Sequence, residues 1–218
     1  MMHLAEYRDR RDAGVKLAQA LAVYSQKKNT IVLALPRGGV PVAQEIATRL
    51  HLPLDLMLVR KLGVPGYEEI AVGAIADGSV VFLDQAYIAQ MALSQGTVDA
   101  LIARETAELE RRNALYRQGR PPPDVEGRTV ILVDDGVATG ADMRAAARSV
   151  RARKASKIVI AIPVAPATSL EALEEEADVV ICPLVPDLFF AVAQAYESFR
   201  QVRDAEVLSI LSGAQAPD

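Results

Sequence analysis

Two adjacent aspartates, Asp134 and Asp135, close the apolar run TVILV and are followed by Gly136, Val137, Ala138, Thr139 and Gly140. Like charges side by side repel, and burial disfavours both, so such a pair at a strand end needs something that binds it. Vicinal hydroxyls satisfy it, as does a magnesium ion bridging such hydroxyls. The glycines at 136 and 140 suit a tight turn whose backbone N–H groups, with the Thr139 hydroxyl, point at the start of a helix predicted from 141. A helix N-terminus of that kind takes an anion, and phosphate fits it. A sugar diol beside a phosphate is a ribose 5-phosphate.

Three other stretches carry groups of interest. In LALPRGGVPVAQEIA, Arg37 offers a guanidinium fork for phosphate oxygens, and Gly38 and Gly39 allow close backbone approach to an anion. In LVRKLGVPGYEEIAVGAIADG, Arg60 and Lys61 are expected to end a strand at the same sheet edge, ahead of a glycine-containing lid that excludes water when closed. Glu68 and Glu69 are candidate lid carboxylates, with plain solvent exposure as the alternative. In VPDLFF, Phe189 and Phe190 follow a Pro-Asp turn; they are either core residues or a face on which a planar base stacks.

The elements that must position these groups are legible as alternating patterns. The runs beginning at 31, 54, 129, 158 and 178 are short, continuous, apolar and β-branched, as parallel strands covered on both faces are. Helix-like segments begin at 12, 40, 140 and 169. The alternation predicts an α/β fold with a mostly parallel central sheet flanked by helices, whose ligands sit at the carboxyl ends of the strands. Residues 62–120 interrupt it. There a hairpin turning at Asp77-Gly78 precedes a long polar helix, roughly 96–118, that stops before RPPP. The segment after Phe190 reads as an amphipathic helix.

Composition narrows the function. The 218 residues carry 28 acidic and 24 basic side chains, a net charge of −4, which argues against a general nucleic-acid binder. With 51% hydrophobic residues the chain can bury a sizeable core, and a single domain is expected over 1–218. The lone Cys182 excludes an intramolecular disulfide. No apolar run approaches about 18 residues and the N-terminus is charged, so no membrane association is expected and the location expected is cytoplasmic. Apolar helix faces allow a homodimer.

VILVDDGVATG resembles the PRPP-binding motif of the type I phosphoribosyltransferases, PRPP being 5-phosphoribosyl pyrophosphate. The order RGG, then RK with a lid, then DDGVATG, then an aromatic tail is similar to a group of predicted bacterial phosphoribosyltransferases. The motif departs from its relatives at Asp142, where Thr is common, and at Ala138, where some purine enzymes carry an acidic residue. The resemblance implies a magnesium-dependent transfer of the phosphoribosyl group from PRPP to a nitrogen of a purine or related base, releasing pyrophosphate. It implies that Asp134 and Asp135 hold the ribose hydroxyls, and magnesium indirectly through them or through water. Residues Gly136, Val137, Ala138, Thr139 and Gly140 would wrap the 5-phosphate. Arg37, Gly38 and Gly39 would form the pyrophosphate loop, and Arg37, Arg60 and Lys61 would stabilise the leaving group. Residues 62–120 would be a flexible lid, and residues 183–203 a small C-terminal hood in which Phe189 and Phe190 stack the base. The rival expectation is a module that binds PRPP or a nucleotide without turnover.

Overall fold

A computed structural model describes residues 5–77 and 80–214. Its centre is a five-stranded, all-parallel sheet in the order β2-β1-β6-β7-β8. These strands are β1 (Thr30–Ala34), β2 (Leu54–Leu56), β6 (Thr129–Val133), β7 (Lys157–Ala161) and β8 (Val179–Ile181). Successive side chains on a strand point to opposite faces, and β1, β6 and β7 are largely apolar on both. Val32, Ala34, Ile131, Val133 and Val159 therefore join one core, against α1 (Arg10–Ala20), α2 (Gly39–Leu50) and α7 (Asp204–Gly213). Ile31, Leu33, Val130, Leu132 and Ile160 join the other, against α5 (Ala141–Ala152) and α6 (Ala167–Glu174). Burying each such side chain contributes about 1.5–3 kcal/mol.

The strand order reverses at β1, which has β2 on one side and β6 on the other. The β1–β6 register runs from Thr30 opposite Thr129 to Ala34 opposite Val133, so the two strands end level. The loops that follow them, 35–38 and 134–140, thus emerge side by side at a topological switch point.

The insertion differs from the expected simple hairpin. It holds a three-stranded antiparallel sheet of β3 (Val59–Val64), β4 (Tyr67–Ala76) and β5 (Val80–Leu83), then α3 (Gln85–Gln90) and α4 (Gln95–Arg117). The turn expected at Asp77-Gly78 falls partly at 78–79, outside the described residues. The run LDLMLVR, read as one strand, breaks at Met57-Leu58. Its first half follows β1, while Leu58 exchanges hydrogen bonds with Asp77, giving its N–H to the carboxylate at 3.0 Å and accepting from the Asp77 N–H at 3.0 Å. Arg60 and Lys61 consequently lie on β3 of the antiparallel sheet and do not end a parallel strand.

A second correction concerns the tail. Residues 191–203 form no α-helix; a short 3-10 turn, Val192–Ala195, is followed by extended chain, and the helix comes later as α7. Tyr196 pairs with Tyr7 in a parallel bridge, with the Tyr7 N–H on the Ala195 carbonyl at 3.0 Å and the Glu197 N–H on the Tyr7 carbonyl at 2.8 Å. Pairing across the two chain ends outcompetes the local helical pattern. Cys182, expected inside a strand, sits one residue past β8 and is half-buried. No helix among the described residues is long and apolar enough to cross a membrane.

The insertion is fixed to the sheet by a buried charge cluster. Arg117, at the end of α4, is 1% exposed and gives hydrogen bonds to Asp77 at 3.0 and 2.8 Å and to the Leu56 carbonyl at 2.8 Å, with Asp55 at 3.5 Å. Removing the cation alone would strand two buried carboxylates. Arg117→Met is therefore expected to destabilise the protein by about 3–5 kcal/mol, read as a lower urea midpoint, and Asp77→Leu in the same chain is expected to recover part of the loss.

Candidate active site

The loop after β1 and the loop after β6 meet with no room between them. A Cβ on Gly38 would lie 2.0 Å from the Asp135 Oδ2, and one on Gly39 would lie 2.6 Å from the Val133 carbonyl oxygen. Glycine at both positions is thus required by the approach of the carboxylate loop, independently of any ligand. The peptide bond joining Pro36 to Arg37 is cis. Arg37, Gly38 and Asp135 line one open cleft of about 510 Å³, together with Arg10, Val192 and Phe199.

The two aspartates are satisfied in different ways. Asp134 accepts the Asp135 N–H at 2.8 Å. Burial, then the neighbouring Asp135 charge, pushes its carboxyl well above the usual carboxylate range. Asp135 is also raised by burial, but Arg10 opposes the shift. The Arg10 Nε donates to Asp135 Oδ2 at 2.7 Å, with only 10% and 14% of the two side chains exposed. The Tyr196 hydroxyl donates to the Asp135 carbonyl, and its phenol is pushed up by burial.

The five residues after the pair form a tight, glycine-bounded turn. Gly136 and Gly140 have φ of 151° and 79°, and Gly140 caps α5 in the left-handed region with no side-chain cap. Val137 gives its N–H to the Val164 carbonyl at 2.9 Å, and the Ser169 hydroxyl holds the Ala138 carbonyl at 2.5 Å. Among the described residues no protein acceptor meets the N–H groups of Ala138, Thr139, Gly140 or Ala141. Exposed Ala138 and Thr139 leave those donors open to a ligand. Asp142 reaches solvent in the first turn of α5, yet protein atoms crowd its carboxyl and raise it, with Lys61 and then Arg60 pulling the other way.

The remaining candidates are less gathered. Arg60 is engaged by Glu105 through hydrogen bonds of 2.8 and 2.6 Å. Arg37 faces Asp204 at 3.6 Å, and Asp204 accepts the Tyr116 hydroxyl at 2.6 Å, which ties the start of α7 to α4. Phe189 packs with Tyr7, Tyr196 and Val164, whereas Phe190 is 86% exposed. Neither lines the cleft; the aromatic wall there is Phe199. The side chains of Glu68 and Glu69 lie outside what is described. Sequence reasoning missed Arg10, Tyr196 and Phe199, because their only signal is a long-range meeting of chain ends. Among the described residues no cluster of three or more His, Cys, Asp or Glu could hold a metal by itself.

The raised Asp134 carboxyl has a consequence for stability. The folded state holds that proton more tightly than the unfolded chain, so its contribution is full below the ordinary carboxylate value of about 4 and is lost as pH rises through the folded value. Asp134→Asn is expected to remove this decline and raise the unfolding midpoint at neutral pH, measured by urea titrations across about pH 4 to 8.

Comparison with known proteins agrees with this geometry. The phosphoribosyl transferase domain family matches residues 4–199. Two Mycobacterium tuberculosis proteins, from strains CDC 1551 / Oshkosh and H37Rv and provisionally named phosphoribosyl transferases, are each 45% identical over 206 residues. The match takes in 94% of this chain and 46% of theirs, so the chain spans about half the length of these curated relatives. The crystal structure of TT1426 from Thermus thermophilus superimposes with a TM-score of 0.83 at 41% identity, covering 94% of this chain and 97% of that one. With a switch-point cleft, an open glycine-bounded turn and a family match over most of its length, the chain belongs to the phosphoribosyl transferase family.

Proposed function

We propose that this protein transfers the 5-phosphoribosyl group from PRPP to a nitrogen of a purine or related base and releases pyrophosphate. The observation that carries the reading is the side-by-side placement, at the switch point, of a carboxylate pair and an open row of backbone N–H groups. Such a pair and row match the diol and the 5-phosphate of one sugar. Family membership supports the donor more strongly than the acceptor.

In this reading Asp134 and Asp135 orient the ribose, which lowers the barrier by fixing the reacting carbon. Residues Gly136, Val137, Ala138, Thr139 and Gly140 hold the 5-phosphate. Arg37, with the Gly38 and Gly39 backbone, receives the pyrophosphate. As the bond to pyrophosphate breaks, positive charge grows on the sugar carbon and negative charge on the leaving group, so cations and excluded water do most of the catalysis. Arg37, from the loop after β1, and Lys61, on β3 near Asp142, would fill that role. Arg60 joins them by exchanging Glu105 for phosphate oxygens when residues 62–120 close as a lid. Residues 183–203 would form the base-side hood, where exposed Phe190, which does not line the cleft, would have to turn toward it to stack a planar ring, and Phe189 anchors the loop.

Magnesium fits the donor set. Asp134 and Asp135 offer hard carboxylate oxygens but among the described residues no third ligand, so they would hold the ion indirectly, through the ribose hydroxyls or water, with substrate phosphates completing its shell. When bound, such an ion would neutralise charge on the pyrophosphate oxygens.

An acceptor panel tests the reading: pyrophosphate release is measured with PRPP, magnesium and a set of purine and pyrimidine bases. Turnover on at least one base is expected. PRPP binding without turnover on any base would sink the transferase assignment and leave a donor-binding module. In parallel, Asp134→Asn with Asp135→Asn is expected to weaken PRPP binding by at least about a hundredfold, two lost charge-assisted contacts; retained binding would place the ribose elsewhere.

A further inference from the structure

Two arginines line the cleft, and they are used differently. Arg37 is loosely attended, with Asp204 at 3.6 Å and 39% of its own side chain exposed. Arg10 is held on three sides. Its Nε donates to Asp135 Oδ2 at 2.7 Å, its Nη1 donates to the Arg200 carbonyl at 2.7 Å, and its guanidinium carbon lies 3.8 Å from the centre of the Phe199 ring. The side chain is 10% exposed. A surface ion pair fluctuates and contributes little; a guanidinium stacked on a ring, anchored by a carbonyl and shielded from water is a fixed point charge.

That charge sits against a residue which must keep a chosen orientation to be useful. Asp135 Oδ2 is taken by Arg10, and the neighbouring Asp134 carboxyl also lies within hydrogen-bonding reach of the Asp135 side chain. The charged and titratable groups around Asp135 are Arg10 from α1, Asp134 from its own loop, Tyr196 from the tail and Arg37 across the cleft. Of these only Arg10 holds the carboxylate itself by a cationic contact.

We propose that Arg10 is a positioning residue for the donor's sugar: it clamps one carboxylate oxygen of Asp135 and thereby presents the other to the ribose hydroxyls. The proposal rests on the ribose assignment made above. Lysine cannot replace arginine fully at this position, because one ammonium has neither the fork that reaches both Asp135 and the Arg200 carbonyl nor the flat face that stacks on Phe199. The clamp also explains why residues far apart in the chain converge here: α1 supplies the cation, the tail supplies the ring and the carbonyl, and the β6 loop supplies the carboxylate.

The test is a binding experiment by calorimetry with magnesium present and three probes: PRPP, ribose 5-phosphate and inorganic pyrophosphate. Arg10→Gln is expected to weaken PRPP and ribose 5-phosphate about tenfold, the loss of one charge-assisted contact, and to leave pyrophosphate unchanged. Arg10→Lys is expected to recover part of the affinity. In a chain already carrying Asp135→Asn, adding Arg10→Gln is expected to cost nothing further, since a residue acting through Asp135 has nothing left to position. Thermal unfolding of each variant confirms that it is folded. A parallel loss of pyrophosphate binding, or the same loss from Arg10→Gln in both backgrounds, would overturn the proposal in favour of a scaffolding role; so would unchanged affinity. If Asp135→Asn by itself leaves ribose 5-phosphate bound as before, the ribose assignment fails first and the positioning role falls with it.

Discussion

Keeping two adjacent carboxylates at the end of a buried strand is the constraint around which this protein is arranged. Water would solvate both, but the strand end removes most of it. The chain answers with two devices. Asp134 takes a backbone N–H and retains its proton more readily; Asp135 takes a guanidinium from more than a hundred residues earlier in the chain. A charge buried without a partner costs several kcal/mol, so the position of Arg10 is as necessary as the aspartates themselves. Fixing Arg10 in turn requires Phe199 and the Arg200 carbonyl, and hence the pairing of Tyr7 with Tyr196 that brings the chain ends together.

The parallel sheet makes the arrangement rigid. Level strand ends at β1 and β6 deliver the PRGG and DDGVATG loops to the same place, and the contact is close enough that only glycine fits at 38 and 39. The small β3-β4-β5 sheet is held differently, through Arg117, Asp77 and Asp55 beneath it and through Arg60 with Glu105 at its margin. The first cluster is buried and firm. The second joins a half-buried Arg60 to a buried Glu105 that Arg104 also contacts.

The sheet strands were legible because a strand covered on both faces must be apolar throughout, whatever its neighbours are. The carboxylate loop was legible for a related reason: a charged pair beside glycines is too costly to arise at a strand end without a use. Local pattern failed where a distant partner decided the conformation. LDLMLVR reads as one strand until Asp77 pairs with Leu58 and splits it, and AVAQAYESF reads as a helix until Tyr7 offers an extended partner. The segment carrying Phe189 and Phe190 had the right composition for an aromatic wall, yet Phe199 fills that place in the cleft.

The sequence by itself therefore determined the α/β class, the apolar strands, the glycine turn and the two aspartates that precede it, since each follows from solvation and backbone freedom within a few residues. The tertiary structure alone decided which aspartate meets a guanidinium, which glycines are obligatory and which aromatic residue faces the cleft. Those depend on Arg10, Asp135, Gly38 and Phe199 meeting across the whole length of the chain, and no local rule of spacing encodes a contact between residues so far apart.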